Sequence, residues 1–584
     1  MACLTLRKIW GIILLGFVLL LGTDNRVGSQ PVSKSEEVFA IISLNNPGQL
    51  IKDIGQLVES IQPGMGVLVN SAVVGQAIFK NPTWAGMDMG GKYLAVILNP
   101  QKYSQSPYAI TIPLTHRAGY LATLSQSLKK EKEEGGIYTF KEPASEKRVF
   151  VTFTRKVAIL SENKEVARQV KELVEKNNPA LKSTPLVKGA ITASVPVSKI
   201  LTTFQPMIEA MKQQMLMGLE KQTRPPQQEE SKDQASQTPL QAEAVKKILQ
   251  TEVDLVLSIL GQIETLDLGI NVKAEGLRIS QSILSVKGSN VANFINLQSP
   301  QKSSLLGFIP SDAGIIGSIS LKVTPEIIQG YIDFLKIIYG ATPGVDPGTI
   351  DHLSQWITEF FKAFGEELAF GLSTADEKPL MIYLYNVQNP PKARQLMEEY
   401  PQLLAPMMNF YKSTGTEFDV KISDKINYHS GEILIYKMNL KTGATTDPEA
   451  QEAFTKLFGK EMSMPVGFIG QYSVMGFGPE ALGEVQKLMD LLNSSTKISA
   501  KHTPSLFGLP EENNIFLYFS IPRLVAWAAS LDPKVPNIKV QESPGIALSG
   551  RFAESRIETE FFIPAKEISV FRDMIPVQKA PQPQ

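Results

Sequence analysis

The chain has 584 residues, 43% of them hydrophobic and 20% charged, so it is globular in composition and too long for one ordinary core. Lys plus Arg and Asp plus Glu number 58 each, for a formal net charge of zero. No basic excess is present to neutralise phosphates, which argues against nucleic acid as a partner.

The first readable element is a targeting segment. Arg7 and Lys8 precede an apolar run from Ile9 to Gly22, and a polar stretch then leads to Val27, Gly28, Ser29 and Gln30. Basic region, short apolar run and small-residue site are the parts of a secretory signal over 1–29, with cleavage expected between Ser29 and Gln30. The run is about 14 residues, short of the roughly 20 that span a bilayer. Cys3, the only cysteine, precedes the run, so no lipoprotein attachment site is expected. The mature chain would then hold no thiol, disulfide or cysteine-bound metal. No other long apolar run follows, so no transmembrane span is expected in it. The expected location is extracytoplasmic, in the periplasm or at the cell surface of a bacterium.

From Val38 to Leu44 the chain predicts a buried strand, after which Asn46 caps a helix that starts on Pro47 and carries Leu50, Ile51, Ile54, Leu57, Val58 and Ile61 on one stripe. Two strands around a polar turn follow, in "YLAVILNPQKYSQSPYAITIPL". Lys129 to Gly136, "KKEKEEGG", mixes charges ahead of a glycine turn and suggests a solvated helix end. "AITASVPVSKIL" is a strand running into Pro196 and a helix. An insertion over about 197–263 follows: two amphipathic helices around a polar stretch, 222–238, that lacks apolar anchors and is expected to be disordered. On the first helix Phe204, Ile208, Met211, Met215 and Leu219 form a candidate apolar binding face, soft because of its methionines. Packing of the two helices on each other or on their own sheet is the simpler use of that stripe. Leu266, Leu268, Ile270 and Val272, then Leu277, Ile279 and Ile283, alternate around Glu275 and Gly276 as a hairpin with its apolar face buried.

These landmarks then recur in the same order. Ile315 to Leu321 leads to Thr324 and Pro325, "LAFGLSTADEKPLMIYLYNV" is a second strand pair, and "IFLYFSIPRLVAW" is a second strand-proline-helix unit. A second closing hairpin carries Ile546, Leu548 and Phe552, then Ile557, Phe561 and Ile563. Pro47 and Pro325 stand 278 residues apart, as do Arg278 and Arg556. The expected fold class is α+β: two tandem duplicated domains over 30–300 and 301–576, each mainly antiparallel sheet packed with helices, with an extra helical hairpin in the first. The tail 577–584 is expected to be disordered.

Residues able to do chemistry are sparse. His116, His352, His429 and His502 are scattered without metal-binding spacing. Lys441–Gly443 reads KTG, but the S-x-x-K words, Ser494 to Lys497 and Ser299 to Lys302, are wrongly placed for a penicillin-binding or β-lactamase site. "GLSTA" around Ser373 is one residue short of a nucleophile elbow. Glu366 and Glu367 are adjacent, hence on opposite faces of a strand and unsuited to acid–base pairing. No catalytic, metal or cofactor-binding residue is therefore expected, and no cofactor. In its organisation the chain resembles a family of uncharacterised exported bacterial proteins built of two tandem α+β copies. That resemblance covers nearly the whole chain, rests on no diagnostic motif and supplies no site residues. The function expected is that of an exported non-enzymatic binding or scaffolding protein, whose partner is an apolar ligand or an envelope protein. A periplasmic carrier of a lipid or other apolar ligand is the first alternative, sharing the plan of lipid-binding folds by analogy only. A hydrolase of unrecognised type is the second.

Overall fold

The computed structural model describes residues 37–143, 147–182, 185–223, 250–251, 253–340, 347–373, 379–413, 416–442, 462–497, 502–530 and 542–574. In its first half the strands are β1 (Val38–Asn45), β2 (Lys92–Leu98), β3 (Tyr108–Pro113), β4 (Lys129–Glu134), β5 (Ile137–Lys141), β6 (Arg148–Phe153), β7 (Val157–Ser161), β8 (Ile191–Val195), β9 (Ile263–Lys273) and β10 (Gly276–Ser285). They pair antiparallel in the order β4-β5-β6-β7-β3-β2-β1-β8-β9-β10. In the second half come β11 (Ile315–Ser320), β12 (Phe364–Ser373), β13 (Leu380–Val387), β14 (Thr416–Tyr428), β15 (Gly431–Thr442), β16 (Met462–Ile469), β17 (Tyr472–Phe477), β18 (Ile515–Phe519) and β19 (Ile546–Ala553). Their antiparallel order is β14-β15-β16-β17-β13-β12-β11-β18-β19. The fold is α+β with extensive antiparallel sheet.

The chain divides into two compact units. One draws its described residues from Gly28–Thr203, Ile263–Val286 and Arg556–Gln584, the other from Phe204–Gln262 and Lys287–Ser555. The expected repeat boundary at 300/301 and the division between units are therefore different divisions of the chain. The first unit is completed from the far end of the sequence, where β20 (Arg556–Pro564) lies antiparallel to β10 from Gly276↔Pro564 to Leu284↔Arg556. In that register Gln281 faces Thr559. Arg278 and Glu560 form an ion pair at 2.7 Å, and the guanidinium lies 4.8 Å from the Phe562 ring centroid.

Within the first unit the sheet around β2, β3 and β7 lies between helices. On one side Val96, Leu98, Ala109 and Ile159 pack with Val166 and Val170 of the helix Lys164–Glu175, all of them 0% exposed. On the other, Tyr93, Ile112, Tyr120 and Phe140 gather with Ile51 of the helix Pro47–Ile61 and Phe79 of the helix Ser71–Phe79. Asn46 starts the first of these as expected: its side chain accepts a 3.0 Å hydrogen bond from the Gln49 N–H, and Pro47 takes the first turn. Asp53 on this helix pairs with Lys273 at 2.8 Å. Burial by itself would push its carboxyl up, but hydrogen bonds from Lys273 and Gln49 and the lysine charge together hold it below the ordinary value. In the second unit the helix Ala481–Asn493 seats Val485, Leu488 and Met489 against β16 and β17. Gly467 and Gly476 are needed there, because a Cβ at Gly467 would stand 2.5 Å from Met489 Sδ and one at Gly476 2.8 Å from a Val485 methyl. The opposite side holds Trp356, Phe360, Leu396 and Tyr436.

Three sequence expectations need correction or placing. Lys129 to Glu134 is not a helix end but the strand β4, exposed at every residue and pairing with β5 at the end of the sheet order. Charges every residue suit a strand that must not recruit a neighbour, and a mixed-charge run without apolar periodicity does not distinguish helix from edge strand. The first helix of the insertion, Val197–Thr223, runs two residues into the stretch expected to be disordered; 224–249 and the tail from 575 lie outside the described residues. The second inserted helix is described at 250–251 and over 253–261, and Asp254 on it pairs with Lys212.

Candidate functional site

The helix face singled out by sequence is only partly buried. Phe204 and Ile208 are half-buried, whereas Met211 is 62% and Met215 40% exposed, so the stripe is not a core stripe along its length. Met207 and Met217 are exposed beside them. The Leu219 side chain, Ser29 and Gln30 lie outside the described residues.

Another apolar surface stands on the sheet of the first unit, and register builds it. Residues directly opposite share a face, and so do residues two apart on one strand. One row runs Ile42, Ala193, Leu268, Gln281, Thr559 across β1, β8, β9, β10 and β20. The row beside it is Leu44, Ile191, Ile270, Ile279, Phe561, and on the other flank stand Val195, Leu266, Ile283 and Ile557. Ile42 is 39% and Leu268 36% exposed, and of the rest only Ile557 is buried.

The opposite face of the same strands is polar, and much of it is buried. Ser43 and Thr192 are buried and hydrogen-bonded to each other, with the oxygens 2.5 Å apart. Asp267 faces Ser282 across β9 and β10, at 3% and 1% exposure. Asp267 Oδ2 accepts from the Leu186 N–H at 2.8 Å, while Asp267 Oδ1 and Ser282 Oγ have no hydrogen-bond partner. The segment before β8 lies on this face: Asn45 Nδ2 donates to the Gly189 carbonyl, and the Ala190 N–H donates to Asn271 Oδ1. Its approach requires glycine at 269, where a Cβ would meet the Lys188 carbonyl oxygen at 2.7 Å. The hairpin thus reverses the sequence expectation: Leu266, Leu268 and Ile270 line the more open face, and Asp267 and Gly269 the buried one.

The second unit carries a comparable surface. Leu372, Ile315 and Phe519 form one cross-strand row on β12, β11 and β18, and Leu368, Ile319 and Ile515 form another. Between them Phe370 lies over Gly317, whose absent side chain leaves room for the ring. The large side chains of these rows are half-buried, whereas Ile316, Phe516 and Tyr518 behind them are at most 3% exposed.

Three of the four histidines have structural partners. His116 Nδ1 accepts from the Gly119 N–H at a helix start, His429 Nε2 lies 2.6 Å from Asp490, and His502 stacks on Tyr518 with Nε2 2.8 Å from the Ser311 carbonyl oxygen. Glu367 is buried and accepts from both Ser303 and Ser304 hydroxyls and from the Ser304 and Leu305 N–H groups, which ties the loop before β11 to β12. Such a saturated carboxylate has no lone pair turned toward a substrate. Glu366 points to the other face and is exposed. Ser494 ends a helix with its hydroxyl on the Leu491 carbonyl, and Lys302 pairs with Glu511, so neither S-x-x-K word forms a site. Among the described residues no group of three or more His, Cys, Asp or Glu could hold a metal ion, and no helix is long and apolar enough to cross a membrane. No family model, no curated protein and no solved structure matches the chain.

Proposed function

We propose that the protein is an exported, non-enzymatic binding or scaffolding protein of the periplasm or cell surface that holds apolar partners on its sheet faces. The observation that carries this reading is the reversed polarity of β1, β8, β9 and β10, with Ser43, Thr192, Asp267 and Ser282 buried while Ile42 and Leu268 are exposed. Placing aliphatic side chains toward water and hydroxyls under cover works against folding, so the arrangement is accounted for by a partner that covers the apolar rows. Ile42 and Leu268 are the exposed members of one cross-strand row, on either side of Ala193, which suits a flat or extended partner surface better than a molecule enclosed in a cavity.

The proposal includes duplication of one α+β unit. It is supported by the identical strand order of the two halves, ten strands apart, and by the pairing of β10 with β20. Gln281 faces Thr559, which stands 278 residues further on, the separation of the two hairpin arginines. Strands related by a two-fold axis place a residue opposite its own counterpart at the centre. Export rests on the Arg7–Gln30 segment, and N-terminal sequencing of the cellular protein is expected to begin at Gln30.

The test is native mass spectrometry with lipid extraction of the protein purified from its own envelope, comparing the natural chain with Leu268→Asp. A co-purifying apolar molecule or envelope protein, depleted about tenfold or more in the variant, is expected, since burying one leucine is worth ~1.5–3 kcal/mol. Equal recovery of every co-purifying species with both chains would refute the reading.

A further inference from the structure

The helix Val197–Thr223 carries methionine at 207, 211, 215 and 217, four of the 18 in the chain. All four stand in water, between 40% and 62% exposed. Met65 is the only other exposed methionine among the described residues, whereas Met87, Met397, Met438, Met464 and Met489 are at most 9% exposed.

The helical turn sorts these residues into lines. Phe204, Ile208 and Lys212 follow one another at every fourth position on the covered side. Phe204 and Ile208 are half-buried, and the Lys212 side chain is 14% exposed and paired with Asp254. Met207, Met211 and Met215 repeat the same spacing along the neighbouring line and stay in water. A line that need only be apolar is met as well by leucine, whereas a thioether adds a nucleophilic lone pair. Cys3 is the only cysteine, so elsewhere in the chain two-electron sulfur chemistry falls to methionine.

We propose that Met207, Met211, Met215 and Met217 form a sulfoxidation site, at which a peroxide turns the outer side of the helix polar and a thiol-dependent reductase restores it. The sulfur lone pair forms the S–O bond as the O–O bond of hydrogen peroxide breaks. The departing hydroxide takes the proton of the transferred oxygen and leaves as water. Sulfur thereby loses two electrons, and the peroxide gains them. In the reverse step two reductase thiols close to a disulfide while the sulfoxide oxygen leaves as water. Susceptibility follows access to the sulfur, so exposure of these four against burial of the other five sets the order of reaction. Phe204, Ile208 and the Lys212–Asp254 pair lie on the covered side, so the change falls on the surface and leaves those contacts in place. The inference is independent of what covers the sheet faces.

The experiment treats the natural chain with hydrogen peroxide and follows each methionine by peptide mass spectrometry. Met207, Met211, Met215 and Met217 are expected to gain oxygen about tenfold or more faster than Met87, Met397, Met438, Met464 and Met489. Retention on a hydrophobic-interaction column should fall with the same time course, while the melting midpoint holds. Methionine sulfoxide reductases with dithiothreitol should then restore retention. A chain with Met207→Leu, Met211→Leu, Met215→Leu and Met217→Leu keeps the apolar side without its sulfurs, so peroxide should leave its retention nearly unchanged. The proposal is overturned if the four react no faster than the buried five, because their side of the helix would then be covered. An equal fall in retention for both chains overturns it too, placing the change on other sulfurs such as Met65. So does retention that the reductases do not restore. A melting midpoint that peroxide lowers in the natural chain and not in the leucine chain also overturns it, because the four sulfurs would then belong to the core.

Discussion

Ser282 is 1% exposed and its hydroxyl makes no hydrogen bond, which is costly for a buried polar group. Asp267, opposite it, satisfies one carboxylate oxygen on the Leu186 N–H and leaves the other bare. Removing an unsatisfied hydroxyl without enlarging the side chain relieves that cost. Ser282→Ala is accordingly expected to raise the denaturation midpoint by about 1 kcal/mol of stability, and a loss of similar size would reveal a bridging partner on the hydroxyl. At this scale the sequence was only half legible. The alternation of Leu266, Leu268 and Ile270 with Asp267 and Gly269 tells which residues share a face. It does not tell which face the backbone before β8 will cover, and that is set by Gly269, whose role depends on a segment some 80 residues earlier, from Leu186 to Ala190.

At the scale of elements, the strand-proline-helix units were legible because proline fixes the first helical turn and a cap residue precedes it. The edge strand β4 was not, because its six charged residues carry no period. The central hairpin was found from alternation and its turn, but its outer partner could not be found by proximity in sequence. That partner, β20, can be tested by its charges. Arg278 and Glu560 stand 2.7 Å apart with side chains 27% and 29% exposed, so their coupling should be modest. A double-mutant cycle with Arg278→Glu and Glu560→Arg should give a favourable coupling of about 0.5–1 kcal/mol between the natural pair. The doubly reversed chain should recover part of what Glu560→Arg loses. Independent, additive losses would mean that β10 and β20 are not in this register.

At the scale of the whole molecule, the first compact unit depends on the last elements of the sequence. β20 pairs with the full length of β10 apart from its final residue, and the helix Ala565–Met574 that follows packs on the helix Pro47–Ile61. Arg572 there donates to the Ile61 carbonyl at 2.7 Å, closing an end of that helix whose carbonyls have no partner within it. A chain ended at Ser555 keeps β11–β19 whole but leaves β10 as an unprotected edge, with Leu277, Ile279 and Ile283 along it. Hydrogen exchange should then rise over Gly276–Ser285 and Pro47–Ile61, hundreds of residues from the truncation, while β15 and β16 keep their protection. The shortened chain should also self-associate, because a long apolar edge recruits strands that β4, with its charges, repels. If Gly276–Ser285 kept natural protection in a monomeric truncated chain, β20 would be dispensable to the first unit, and the pairing that supports a duplicated origin would lose its physical consequence.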